Sequence, residues 1–145
     1  MTTTGTFLAD DAATAGFGRA LAAILQAGDL VLLAGDLGAG KTALARAMIR
    51  ALLNDAALDV PSPSFALVQP YEGNGIAVLH ADLYRLAGAR EIDELGLFDR
   101  PEAIVMIEWP ERAPALRERA DMIVTLSVPK DGTGRMVSVE RRVRQ

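Results

Sequence analysis

The chain contains no cysteine, which excludes disulfides, thiolate metal sites and cysteine nucleophiles. It also lacks any long hydrophobic run. Its longest apolar stretches, such as Leu30 to Ala34, are about five residues against the roughly 20 needed to span a membrane. The segment Met1-Thr2-Thr3-Thr4-Gly5 shows neither the basic stretch nor the apolar core of a secretory signal. The expected location is therefore the cytoplasm. Basic charge is scarce too: 15 Lys and Arg against 19 Asp and Glu leave a net charge of −4. That balance argues against a broad basic surface for direct, non-specific nucleic-acid binding. The one basic cluster, Arg135 with Arg141, Arg142 and Arg144, reads as a solvated tail, with a local RNA or partner contact as the alternative.

What remains is globular. Half of the 145 residues are hydrophobic and 23% are charged, which fits one domain spanning residues 1–145 with a sizeable core. The rest is organised around Gly35-Asp36-Leu37-Gly38-Ala39-Gly40-Lys41-Thr42. This matches the phosphate-binding pattern G-x-x-x-x-G-K-[ST], the P-loop. Before it, Asp29 to Ala34 reads as a buried strand; after it, Thr42 to Leu53 carries apolar residues at 44, 48, 49, 52 and 53, a helix pattern. In that setting Gly35, Gly38 and Gly40 let the backbone curl, so that the N–H groups of Asp36, Ala39 and their neighbours face phosphate oxygens. Lys41 neutralises the β- and γ-phosphates and the Thr42 hydroxyl binds Mg²⁺.

Taken in order, Thr6 to Ala9 is a weak first strand, and Asp10 or Asp11 caps a helix running to about Gln26. Val60-Pro61-Ser62-Pro63-Ser64 is a proline-stiffened loop that cannot be helical. Phe65 to Tyr71 and Ile76 to Ala81 read as a hairpin about Glu72-Gly73-Asn74-Gly75. A short helix covers Ala89 to Leu95, a buried strand Ala103 to Ile107, and a further helix Glu111 to Arg119. Two last strands, Met122 to Val128 and Arg135 to Val143, flank a glycine-containing turn. The expected class is α/β: a single P-loop NTPase domain with a mixed central sheet, antiparallel hairpins and flanking helices.

Such a site needs a second magnesium-linked acid at the end of a strand beside the loop. Glu108 follows the most apolar run and Asp82 one nearly as apolar, interrupted by His80. Glu108 is assigned to the magnesium shell and Asp82 to orienting or deprotonating the attacking water; spacing alone leaves the exchange of those roles open. For the only histidine, His80, a packed or hydrogen-bonded structural role is preferred over a catalytic one. Trp109 lies beside the nucleotide or in the core. Ser62 and Ser64 place hydroxyls where a γ-phosphate-sensing switch can sit, and Arg85 is expected in a salt bridge rather than on the transferring phosphate.

Together and in this order, the Gly35–Thr42 loop, Ser62-Pro63-Ser64-Phe65, His80-Ala81-Asp82-Leu83-Tyr84-Arg85-Leu86, Glu94-Leu95-Gly96 and Ile107-Glu108-Trp109-Pro110-Glu111 resemble the bacterial TsaE family. These are small ATPases of tRNA threonylcarbamoyladenosine biosynthesis. The resemblance runs from about Thr6 to Val139. It implies ATP hydrolysis with Mg²⁺, alongside TsaD and TsaB, which transfer the threonylcarbamoyl group to the adenosine next to the tRNA anticodon. tRNA is then reached through that complex, with neither DNA nor a membrane as partner. In the family, the acid matching Glu108 is associated with magnesium and the one matching Asp82 with hydrolysis, while Asp11 contributes to the nucleotide pocket. Two positions depart from the pattern. Ala43 stands where the family usually has a second threonine, and Ser64 where it has threonine. Competing functions are a small P-loop kinase acting on a metabolite and a nucleotide-dependent switch without turnover. The short, acidic stretch from Gly88 to Arg100 disfavours the arginine-rich lid a kinase needs.

Overall fold

The most apolar runs become the innermost strands. In the computed structural model, which describes residues 2–86 and 88–142, strand β2 (Leu30–Gly35) lies at the centre of a seven-stranded sheet. Its Val31 and Leu33 are fully buried beneath helices α1 (Asp11–Ala22) and α2 (Lys41–Leu52). Its Leu30 and Leu32 are buried on the opposite face, against Leu83, Leu97 and Leu116. Burial on both faces is why β2 reads as a continuous apolar run rather than an alternating one.

The remaining strands are β1 (Thr2–Leu8), β3 (Val68–Gly73), β4 (Ile76–Asp82), β5 (Ile104–Glu108), β6 (Met122–Ser127) and β7 (Arg135–Arg141). Their order is β1-β7-β6-β2-β5-β4-β3. β2 pairs in parallel with both β5 and β6, and β4 pairs in parallel with β5. The outer pairings, β3 with β4, β6 with β7 and β1 with β7, are antiparallel. The expected mixed sheet with antiparallel hairpins and flanking helices is what forms.

Several local expectations change. Helix α1 is capped by Asp10, whose carboxylate accepts from the Ala13 N–H at 2.8 Å. It ends at Ala22 rather than near Gln26, because Ile24 and Leu25 donate to carbonyls three residues back and tighten the last turn. The hairpin's first strand starts at Val68, not Phe65. Leu67 donates to the Pro63 carbonyl, closing a turn in which Leu67 takes a φ of 68°. Glu111 to Arg119 is not an α-helix but two 3-10 segments, Pro110–Arg112 and Pro114–Arg119. Pro114 brings no N–H to an α-helical ladder and its ring clashes with the carbonyl four residues earlier. β1 begins at Thr2, because a full-length β7 is available to pair with it. The expected strand end at Val143, and Arg144 of the basic cluster, lie outside the described residues. Helix α3 (Ala89–Asp93) ends before the expected Leu95, capped at Glu94, and Gly96 follows at a φ of 67°.

Candidate nucleotide site

Because β2, β4, β5 and β6 run in parallel, their C-terminal ends open at one edge of the sheet, where crossover folds place ligands. The Gly35–Thr42 loop leaves β2 at that edge. Gly35 takes a φ of +143°, and a Cβ there would collide with the Leu126 carbonyl oxygen of β6. Only glycine permits both the conformation and the close approach. Gly40 precedes α2 in the left-handed region, and no side chain caps the helix. The first-turn N–H groups of α2 are thus left for an external acceptor, with the positive end of the helix dipole behind them.

Lys41 is 5% exposed and turns back over its own loop. Its ammonium donates to the Gly35 carbonyl and, at 3.2 Å, to that of Asp36. The indole of Trp109 lies under it, 3.7 Å from nitrogen to ring centroid. Burial pulls the Lys41 pKa below its ordinary value, while Glu108, Glu111, Asp82 and Asp36 pull it back up. Trp109 reaches this position with a φ of 60°, strained for an aromatic residue, and leans its ring on Tyr84 at 4.8 Å between centroids.

The two acids occupy neighbouring strand ends, Asp82 opposite Glu108 in the β4–β5 register. Glu108 is on the strand next to β2 and is buried. Both its oxygens lie 2.9 Å from the Thr42 hydroxyl, and one lies 2.6 Å from His80 Nε2. Asp82, one strand further out, accepts from the Tyr84 N–H at 2.8 Å and from the Ser64 hydroxyl at 3.3 Å. Ser64 is in turn 2.6 Å from Ser62. The structure therefore brings Lys41, Thr42, Ser62, Ser64, Asp82, Glu108 and Trp109 around one hollow of about 280 Å³, with Gly38 and Gly40 on its wall. The Thr42 hydroxyl and the Glu108 carboxylate are hard oxygen donors side by side, as Mg²⁺ prefers. Among the described residues no three His, Asp or Glu side chains cluster as a metal cage. The donor set suits an ion shared with phosphates and water rather than one held by protein alone.

Asp11 stands apart from these residues. It lines an adjoining hollow of about 320 Å³ with Thr14, Gly134 and Arg135, and the two hollows share Gly40 and Ala43. Arg135 is the residue that sequence reasoning placed elsewhere. Far from being a solvated tail, it donates to the Gly38 carbonyl at 3.1 Å. Arg85 is a second correction: it makes no salt bridge among the described residues, but donates to the Phe65 carbonyl at 3.1 Å and covers that ring. A larger hollow, about 530 Å³ between α1 and α2, contains neither Lys41 nor the paired acids.

The model of the family described as "Threonylcarbamoyl adenosine biosynthesis protein TsaE" matches residues 8–137. The chain belongs to the TsaE family. It is similar to the tRNA threonylcarbamoyladenosine biosynthesis protein TsaE of Haemophilus influenzae, 34% identical over 86% of this chain and 82% of that one. Its similarity to the protein of the same name from Streptomyces coelicolor is 42% over 65% of each chain. Among solved structures, Bacillus subtilis YdiB superposes with a TM-score of 0.74 at 21% identity, covering 97% of this chain and 86% of that one. That likeness speaks for the fold. The TsaE match spans the whole stretch from Gly35 to Glu111 in which those motifs lie. Among the described residues no helix is long and apolar enough to cross a membrane.

Proposed function

We propose that this TsaE-family protein is a P-loop NTPase that hydrolyses ATP with Mg²⁺, in the service of threonylcarbamoyladenosine formation on tRNA. The observation that carries the reading is the hydrogen bond between Thr42, at the start of α2, and Glu108, at the end of β5. It joins the hydroxyl of the phosphate-loop motif to the strand-end acid such an enzyme requires. Thr42 and Glu108 would hold the magnesium, which when bound neutralises charge on the β- and γ-phosphates.

The chain's own residues supply the rest. Lys41 exchanges the carbonyls of Gly35 and Asp36 for phosphate oxygens. The free N–H groups at the start of α2 cradle the phosphates. Asp82 orients or deprotonates the water that attacks the γ-phosphorus, releasing ADP and inorganic phosphate. Ser64, bonded to Asp82, links that acid to the loop from Ser62 to Phe65. The hollow lined by Asp11 and Arg135 is where the nucleoside end would extend. Ala43 leaves the Thr42 pair intact, so its missing hydroxyl affects rate rather than metal binding.

TsaD and TsaB are the partners this reading assigns, and tRNA is met through them. Hydrolysis drives or resets their complex. The test is phosphate release from ATP, with and without Mg²⁺, for the protein alone and mixed with TsaD, TsaB and tRNA. Release that requires Mg²⁺ and needs no phosphate acceptor is expected. Transfer of the γ-phosphate to a metabolite would replace this reading with a kinase.

A further inference from the structure

The 2.6 Å contact between His80 and Glu108 is the shortest bond that the magnesium-shell acid makes, and no role assigned so far uses it. Both side chains are inaccessible, His80 fully so and Glu108 at 3% exposure. They project from neighbouring parallel strands toward α2, with His80 opposite Met106 in the register and Glu108 two residues beyond. We propose that His80 is a positioning residue: its Nε2–H fixes the plane of the Glu108 carboxylate that faces Thr42 and the magnesium. This rests on the reading of Glu108 as the magnesium carboxylate.

The protonated nitrogen follows from what each partner can do. A carboxylate only accepts, so the ring nitrogen facing it must carry the hydrogen. The other nitrogen, Nδ1, is buried and has no hydrogen-bond partner among the described residues. In the opposite tautomer two acceptors would meet across 2.6 Å while an N–H was buried with no acceptor, and both are costly. The Nε2–H form avoids both.

The need for a fixing bond follows from the Thr42 geometry. Its hydroxyl is 2.9 Å from each carboxylate oxygen, so its one O–H proton is shared between them and favours neither. A Glu terminal torsion is broad and roughly two-fold, so Thr42 alone leaves the carboxylate free to rock. His80 contacts only Oε2 and removes that symmetry. One oxygen is then committed to the imidazole and the other is left for the metal side. Partners of this kind, one step behind the ligand, change metal affinity by about 10- to 100-fold when removed.

The decisive comparison is His80→Gln with His80→Met, side chains of similar length that differ in carrying an N–H donor. The readout is the Mg²⁺ concentration giving half of the ATP-induced change in Trp109 fluorescence, beside ATP affinity in EDTA. His80→Met should raise the Mg²⁺ requirement about tenfold, and His80→Gln should restore it to within about threefold of wild type. Affinity in EDTA should be equal in all three. Equal shifts in Met and Gln variants, or none in Met, would overturn the proposal. Glu108→Ala is the control: if it leaves the Mg²⁺ requirement unchanged, the reading of Glu108 fails and the proposal falls with it. A shift in Glu108→Ala without one in His80→Met sinks the His80 role alone. Should His80→Met not fold, wild-type protein answers the same question, because it has one histidine. Its ¹H–¹⁵N correlations must show the Nε2–H tautomer in the free and Mg²⁺·ATP-bound states, and an Nδ1–H tautomer would refute the assignment.

Discussion

Replacing Lys41 with Met keeps the length of the side chain and removes its charge. Two effects of that change can be sized separately. With ATP present, a phosphate charge about 4 Å from the ammonium attracts it by about 4 kcal/mol at an effective dielectric of ~20. Lys41 already donates to the carbonyls of Gly35 and Asp36 in the free loop, and giving up such a bond subtracts about 1 kcal/mol. The difference, about 3 kcal/mol, is roughly a hundredfold in Kd. Without ATP the loss is small. Burial already disfavours the charged form of Lys41, and the Asp36 carbonyl keeps its bond from the Ala39 N–H at 3.0 Å. Unfolding free energy should therefore change by no more than about 1 kcal/mol, or about 4 °C in Tm. The sole tryptophan lies against the Lys41 ammonium, so intrinsic fluorescence reports binding where the change is made. Lys41→Met with ATP affinity within threefold of wild type, at unchanged Tm, would show that Gly35 to Thr42 is not a phosphate loop.

Gly35→Ala should fail in the opposite way, by about 3 kcal/mol and roughly 10 °C in Tm, because the new methyl meets the Leu126 carbonyl at a φ of +143°; a Tm within 2 °C of wild type would contradict the packing of the loop against β6. Asp82→Asn should bind Mg²⁺·ATP with wild-type affinity and release phosphate about a hundredfold more slowly, as measured by single-turnover kinetics. A selective change in magnesium dependence instead would exchange its role with that of Glu108. If hydrolysis is coupled to the proposed partners, adding the TsaD–TsaB pair should raise the ATPase rate at least tenfold, on the order of 1.4 kcal/mol in barrier; a partner that ordered the Ser62–Phe65 loop would reach Asp82 through Ser64, and one that aligned Asp82 would act on it directly. Equal rates where the complex demonstrably forms would exclude that coupling.

The sequence made the strand, loop and helix around Lys41 legible because each is specified locally: a two-sided apolar run, glycines at fixed spacing, and a helical period. It also made both acids candidates, since each ends an apolar run. What it concealed was adjacency. Nothing local says that β5 rather than β4 lies beside β2, yet that order alone gives Glu108 its bond to Thr42. Arg135 was hidden for the same reason. The turn after β6 emerges beside the loop only because β6 is parallel to β2, with Gly35 opposite Leu126. The segment from Glu111 to Arg119 misled differently: its helix-forming residues outweighed Pro114, whose missing N–H decided the outcome. Phe65, 90% exposed, belongs to an apolar run that reads as half of a hairpin, yet it sits in the turn that Leu67 closes.

The position of β2 between β5 and β6 has a consequence for how the protein is made. The glycine-rich motif is complete by Thr42, but the strands on both sides of β2 begin at Ile104 and Met122. A growing chain that has already exposed the motif still lacks Glu108, the Leu126 carbonyl against which Gly35 packs, and Arg135. β1 pairs with β7, from which all the other strands described separate it along the chain. Long-range pairing of this kind slows folding relative to local structure. If the proposed nucleotide site is right, a ribosome-arrested chain ending before Ile104 carries the whole glycine-rich motif and should not retain ATP, because β5 and β6 have yet to be made.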